Sequence, residues 1–299
     1  MAVYVVGDFL RETRLRKGYT QEEVSYGICT PASLSRIENG AQKPGRLILE
    51  KLFERLGTEN NLFNSFVSRE EMELYSAIQT LIRNVTDAEI EKIEEQIAVV
   101  ERLTKDNSEL EKQCILFAKS KLAVKKDEDS KKAMDLLMEA IHITLPEFDG
   151  KNPLRNNLLT FDEIMIINSI AVRHAKNGDF FIAIQIEMWL KEYMEEKIVD
   201  GKMKTAKYPM ILYNLSCWLD DEKCYKEELR VAEEGIDFCI NYGNLVAFLN
   251  KAIALVQMGN TTEAEKYLHQ AITVFEAMKK MDIVEHIRTW CRSHYSIEL

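Results

Sequence analysis

Apolar residues recur at three- and four-residue spacing along nearly the whole chain, the period of amphipathic helices rather than the alternation of strands. Phe9, Leu10 and Leu15 mark a first helix over Asp8–Lys17, which Gly18 ends. Thr20 followed three residues later by Glu23 is a capping box, opening a short second helix, Gln21–Ile28. Thr30 caps a third helix with Pro31 in the first position, Leu34 and Ile37 on its inner face, and Asn39-Gly40 as a left-handed stop. After the loop Lys43-Pro44-Gly45, the spacing of Leu47, Leu49, Leu52, Phe53 and Leu56 predicts a fourth helix. Thr58 is read as the cap of a fifth, carrying Leu62, Phe63 and Phe66.

From Ser68 onward the pattern predicts helices over Glu70–Arg83, Thr86–Leu103 (capped by Thr86, with Glu89 three residues on), Ser108–Val124 and Ser130–Ile143. The charged run Lys125–Asp129 separates the last two, and Pro146–Asn156 is the clearest loop. Beyond it a motif repeats. Ala171, Gly178 and Ala183 share their spacing with Ala252, Gly259 and Ala264, and Cys217, Cys224 and Leu229 hold the same offsets with looser residue types. Leu190, Ala271 and Ile236 follow at a common distance, and Ala133 and Ala140 repeat that last step. Small residues at matching heights let two antiparallel helices approach closely, and a Gly-Asp or Gly-Asn step turns the chain between them. Stacked hairpins of about 34 residues make a helical solenoid. The periods are uneven, with insertions expected near Pro146–Asn156 and Lys197–Tyr208.

Only 12 glycines and 5 prolines occur in 299 residues, too few turn formers for a sandwich or barrel. The expected fold class is therefore all-α, with a small head over residues 1–67 and a repeat body over 68–299. No apolar stretch approaches the ~20 residues a membrane helix needs. Met1–Leu10 lacks a basic leader and carries Asp8, so no signal peptide is expected. The six scattered cysteines form no CxxC pair and read as reduced thiols of a cytoplasmic protein. Charge is uneven: residues 1–60 hold nine basic and eight acidic side chains, whereas the whole chain carries −10. Contact with a polyanion is thus expected of the head alone.

Two short helices joined by a tight turn inside a small helical cluster describe a helix-turn-helix. Thr20-Gln21-Glu22 and Ser35-Arg36-Ile37-Glu38-Asn39-Gly40, with the flanking signals over residues ~7–66, resemble the lambda-repressor-like or XRE-type helix-turn-helix. Joined to degenerate tetratricopeptide-like (TPR-like) repeats, expected as a right-handed helical solenoid, the chain resembles the RNPP family of peptide-pheromone-responsive transcription regulators of Firmicutes. That resemblance implies a homodimer on a palindromic double-stranded DNA operator and a short signalling peptide in the concave repeat groove, as in quorum sensing. A ligand-independent regulator whose repeats bind a protein such as an antirepressor is the alternative.

Geometry and this resemblance together assign the residues. Pro31, Ala32, Ser33 and Arg36 form the groove-facing side of the third helix, with Arg36 placed for guanine O6/N7 and Ala32 for a thymine methyl. Gln21 at the start of the second helix, together with Arg11, Arg14 and Lys43, is read as a phosphate contact, with solvated surface as the competing reading for the basic residues. Glu38 is read as an internal brace. In the repeats, Asn168 and Asn214 stand three residues before Ala171 and Cys217, the groove-facing position of a TPR hairpin, and Asn250 is displaced by one. An asparagine there can donate to and accept from a peptide backbone. Trp218, Tyr213, Met165 and Val172 are read as apolar pocket walls. No nucleotide-binding glycine motif, metal-ligand spacing or nucleophile–base arrangement stands out, so neither cofactor, metal nor enzymatic activity is expected.

Overall fold

A computed structural model of the chain describes residues 6–58, 68–86, 88–104, 108–127, 129–154, 157–197, 199, 201–242, 247–277 and 279–295. Among them every regular element is helical. The head contains α1 (Val6–Arg16), α2 (Gln21–Ser25), α3 (Pro31–Glu38) and α4 (Arg46–Arg55). Then follow α5 (Arg69–Asn84), α6 (Ile90–Leu103), α7 (Glu109–Asp127), α8 (Ser130–Thr144), α9 (Phe161–Lys176) and α10 (Phe180–Glu196). The remaining helices are α11 (Gly201–Asp221), α12 (Tyr225–Tyr242), α13 (Ala247–Gln257), α14 (Thr261–Ala277) and α15 (Met281–Tyr295).

Among the described residues, five helix starts, those of α2, α3, α5, α8 and α9, carry a side-chain cap. Thr20 accepts from the Glu23 N–H while the Glu23 carboxylate accepts from the Thr20 N–H. Ser68 and Glu71, and Thr160 and Glu163, close the same reciprocal box. Two expectations are corrected. The second helix ends at Ser25 rather than Ile28, because Gly27 turns the chain with φ +68. The sixth begins after Glu89 rather than Thr86: the end of α5 continues into a turn, with the Val85 N–H on the Leu81 carbonyl and the Ala88 N–H on that of Asn84. The insertion expected at Lys197–Tyr208 is largely the first half of α11, which runs on through Pro209. Proline removes one helical donor and crowds the preceding turn, at ~3 kcal/mol, but Tyr208, Ile211, Leu212 and Leu215 are all buried on this helix and offset it. The helix read as capped by Thr58 lies outside the described residues.

The chain divides into two compact units, Met1–Gly201 and Lys202–Leu299. The boundary expected at residue 67 falls inside the first and itself lies outside the described residues. In the first unit α5 packs on α6, α6 on α7, α7 on α8, α8 on α9 and α9 on α10. In the second, α12, α13, α14 and α15 pack successively around Leu255, Leu268, Ile272, Phe275, Val284 and Ile287. The repeating small residues do what their spacing requires: Ala171 and Ala183, like Ala252 and Ala264, are fully buried. Three hairpin turns close alike, with the Asp179 N–H on the His174 carbonyl (2.9 Å), Cys224 on Leu219 (2.7 Å) and Asn260 on Leu255 (2.8 Å), the six-to-one bond that satisfies the last carbonyls of a helix. Gly178 and Gly259 supply the left-handed residue in two of them, and Lys223 takes that conformation in the third, where no glycine is present.

Candidate nucleic-acid interface

The α2–turn–α3 segment is held from beneath by Val24, Ile28, Leu34 and Ile37, all buried, together with Leu10, Leu52 and Phe53 from α1 and α4. Thr30 caps α3 through the Ser33 N–H, and Pro31 stands in its first turn. Gly7 of α1 packs so closely on the end of α3 that a Cβ there would lie 2.1 Å from the Ile37 carbonyl oxygen.

Glu38 is the hub. Its Oε1 accepts from Arg14 Nε at 2.6 Å, and its Oε2 from Arg14 Nη2 at 2.9 Å and Gln21 Nε2 at 2.7 Å. Arg14 also donates through Nη1 to the Tyr19 carbonyl at 2.9 Å. One carboxylate thus ties α1, α2 and α3 together. The Arg14 and Glu38 side chains are 9 % and 1 % exposed, and the Glu38 bonds raise the Arg14 pKa above its ordinary value against the opposing effect of burial. This corrects two expectations: Arg14 is a buried brace rather than a phosphate contact, and the Gln21 side chain is turned inward to the same carboxylate. The reading of Glu38 as a brace agrees with this geometry.

Pro31, Ala32 and Arg36 are exposed, and Ser33 is half-buried. Arg36 Nε donates to Gln42 Oε1 at 3.0 Å and its Nη2 to Ser33 Oγ at 3.2 Å. Ser33 Oγ in turn accepts from Thr30 Oγ1 at 3.0 Å. These bonds occupy one edge of the guanidinium and leave the Nη1/Nη2 end for an outside acceptor. Arg11 and Lys43 are exposed. Lys17 is committed internally, donating to the Leu56 and Gly57 carbonyls, and burial followed by neighbouring Arg16 lowers its pKa.

Sequence reasoning missed the buried charges that join the head to the helices behind it. Arg55 Nη2 donates to Glu163 Oε1 at 2.7 Å, with both side chains fully buried. Its Nη1 donates to the carbonyl of Tyr26 and, at 3.5 Å, to that of Glu23. Lys51 lies 2.8 Å from Asp162 and 3.1 Å from Glu54, and the Glu54 carboxylate accepts the Phe161 N–H at 2.9 Å. Burial pushes Glu54 up to about 7, against the pull of Lys51 and with the help of Asp162 and Glu50. The only local signal was the Thr160–Glu163 capping pattern, which marks a helix start and says nothing of Arg55.

In the repeats, Met165 and Val172 are half-buried on α9, while Asn168 is only 5 % exposed. The expectation that Asn168 presents its amide to a groove is corrected: close packing of α9 encloses it. On α11, in the second unit, Tyr213 is 45 % exposed, Asn214 half-buried and Trp218 nearly covered. The Asn250 side chain lies outside the described residues.

Residues 5–66 match the family described as a helix-turn-helix domain. The chain is 38% identical over 63 residues to an uncharacterized HTH-type transcriptional regulator, YqaF of Bacillus subtilis, which takes in 21% of this chain and 83% of that protein. Likeness of fold extends much further. PlcR of Bacillus thuringiensis, solved with the peptide PapR7 and DNA, superposes with a TM-score of 0.59 at 18% identity, covering 95% of this chain and 98% of that one. The apo form of PlcR gives 0.60 at 17% identity, covering 94% and 97%. The SHP pheromone receptor Rgg2 of Streptococcus dysgalactiae gives 0.50 at 12% identity, covering 97% and 99%. The fold implied by the resemblance to RNPP regulators, a helix-turn-helix followed by a helical repeat body, is the fold found. With its head matched in sequence and its reading helix open to solvent, the chain belongs to the HTH-type transcription regulators, proteins that bind DNA through this element.

Proposed function

We propose that the chain is a cytoplasmic, homodimeric regulator whose hold on a palindromic operator is set by a short signalling peptide bound to its repeats. The observation that carries the DNA half is the open face of α3: Pro31, Ala32 and Arg36 exposed, with Arg36 oriented by Ser33 and Gln42. Arg36 presents two parallel donors to guanine O6 and N7, Ala32 meets a thymine methyl, and Arg11 and Lys43 meet phosphates. Short side chains at positions 31 and 32 leave DNA shape a large share of the specificity. Two heads ~34 Å apart would reach successive major grooves and mirror operator symmetry.

The peptide half is supported by fold likeness to PlcR, a protein solved with a peptide and DNA, and by the half-buried apolar and amide side chains that the repeat helices present. Contacts are assigned to Met165 and Val172 on α9 and, separately, to Tyr213 and Asn214 on α11, whereas Trp218 is too covered to wall a groove. The peptide can shift DNA binding only by its differential affinity for the two head arrangements.

The test is an operator selected from random duplexes and measured by fluorescence anisotropy. Arg36→Ala should cost ~1–3 kcal/mol of discrimination at one guanine, and an unchanged base preference refutes the readout. Calorimetry with a peptide encoded beside the gene should show a clear loss for Asn214→Ala; equal affinity removes that residue from the site.

A further inference from the structure

Glu163 sits in a repeat helix, 108 residues from the arginine it binds. Its carboxylate does two things. Oε2 accepts the Thr160 N–H at 2.6 Å and closes the start of α9. Oε1 accepts Arg55 Nη2 at 2.7 Å. Arg55 spends its other terminal nitrogen on the carbonyls of Glu23, within α2, and of Tyr26, the residue that caps its C-terminus. A guanidinium at a helix C-terminus satisfies carbonyls that have no partner within the helix. The turn it holds, Tyr26 to Thr30, sets where α3 begins, and Pro31 is the first residue of the open reading face.

We infer that Glu163 is a positioning residue for DNA reading: through Arg55 it fixes the turn between α2 and α3, so that the helix-turn-helix is completed by a helix of the repeats. Three further contacts hold the same joint. A Cβ at Gly27 would lie 2.1 Å from the Thr144 carbonyl oxygen, so the turn is seated directly on the end of α8. Lys51 bridges Glu54 and Asp162, and Glu54 accepts the Phe161 N–H. Arg55 and Glu163 are both without solvent, so neither can trade its partner for water. The inference rests on reading α2–α3 as the DNA-contacting element. It also gives α9 a second role, since Met165 and Val172, assigned above to the peptide, stand on the helix whose first turn holds the clamp.

The test uses the full chain and an operator selected in vitro by the wild type, with a scrambled duplex as control. Glu163→Gln keeps the shape and removes the charge that Arg55 faces. Operator affinity should fall about tenfold, with the scrambled duplex and the salt slope unchanged, because the phosphate contacts are untouched. Amide exchange over Tyr26–Thr30 should accelerate. Glu163→Asp, which retains the carboxylate on a shorter arm, should recover part of both readouts. If Glu163→Gln fails to fold by circular dichroism, Glu163→Asp and Arg55→Lys take its place, and each must lower the operator-to-scrambled ratio. A folded variant with wild-type ratio and wild-type exchange over Tyr26–Thr30 overturns the inference. If selection with the wild type enriches no sequence, it is the reading of the head that has failed, and the exchange measurement still decides the link between Glu163 and the turn.

Discussion

Arg14 is where surface expectation and buried geometry give opposite experimental outcomes. Arg14→Ala removes three N–H donors: two on Glu38, at 2.6 and 2.9 Å, and one on the Tyr19 carbonyl at 2.9 Å. What remains is the Glu38 carboxylate, 1 % exposed, with the Gln21 amide at 2.7 Å as its remaining hydrogen bond here. Breaking a buried pair from one side costs ~3–5 kcal/mol, because the survivor stays desolvated and charged. The retained Gln21 bond sets the expected value near the lower end, about 3 kcal/mol. For a cooperative unit of roughly 200 residues, that lowers the melting temperature by about 6–12 °C. The melt is followed by circular dichroism, alongside operator binding as a function of salt. A phosphate contact would behave in the reverse way, with an undisturbed melt and a salt slope reduced by about 0.9. That pattern would refute the buried reading. Arg14→Met together with Glu38→Met should cost less than either truncation alone, since no orphaned charge is left behind.

Gly27→Ala should destabilise the first unit by on the order of 3 kcal/mol in a urea titration, from a left-handed side chain and a collision with the end of α8. Gly18→Ala, at φ +77 but with open space around it, should cost only about 1 kcal/mol; equal losses at the two sites would dismiss the collision. Glu54 governs a pH effect. Between the ordinary carboxylate value and about 7 the folded chain keeps a proton that the unfolded chain has released, so raising the pH through that window weakens the fold. From pH 5.5 to 8 the wild type should lose about 2 kcal/mol more than Glu54→Gln, and parallel stability curves would argue against the burial of that carboxylate.

The head was legible because its signals are local. Thr20 with Glu23, Thr30 with Pro31, and Asn39-Gly40 each act on backbone groups within four residues, and each did so. The repeat was legible through Ala171, Ala183, Ala252 and Ala264, since only small side chains permit that approach. Local reasoning misjudged Thr86, whose spacing to Glu89 is that of a capping box, because the bonds ending α5 had already fixed its backbone in a turn. It missed Arg14 and Arg55 for a different reason. An arginine on an amphipathic helix reads as solvated unless its acid is known, and these acids stand 24 and 108 residues away. Nor could the pattern show that Asn168 is enclosed, since the neighbouring helices that cover it leave no mark on its own segment.

The seating of Gly7 against the Ile37 carbonyl leaves room for a hydrogen atom and nothing larger. A side chain at position 7 would push α1 off the end of α3, so the close approach of these two helices depends on a glycine there.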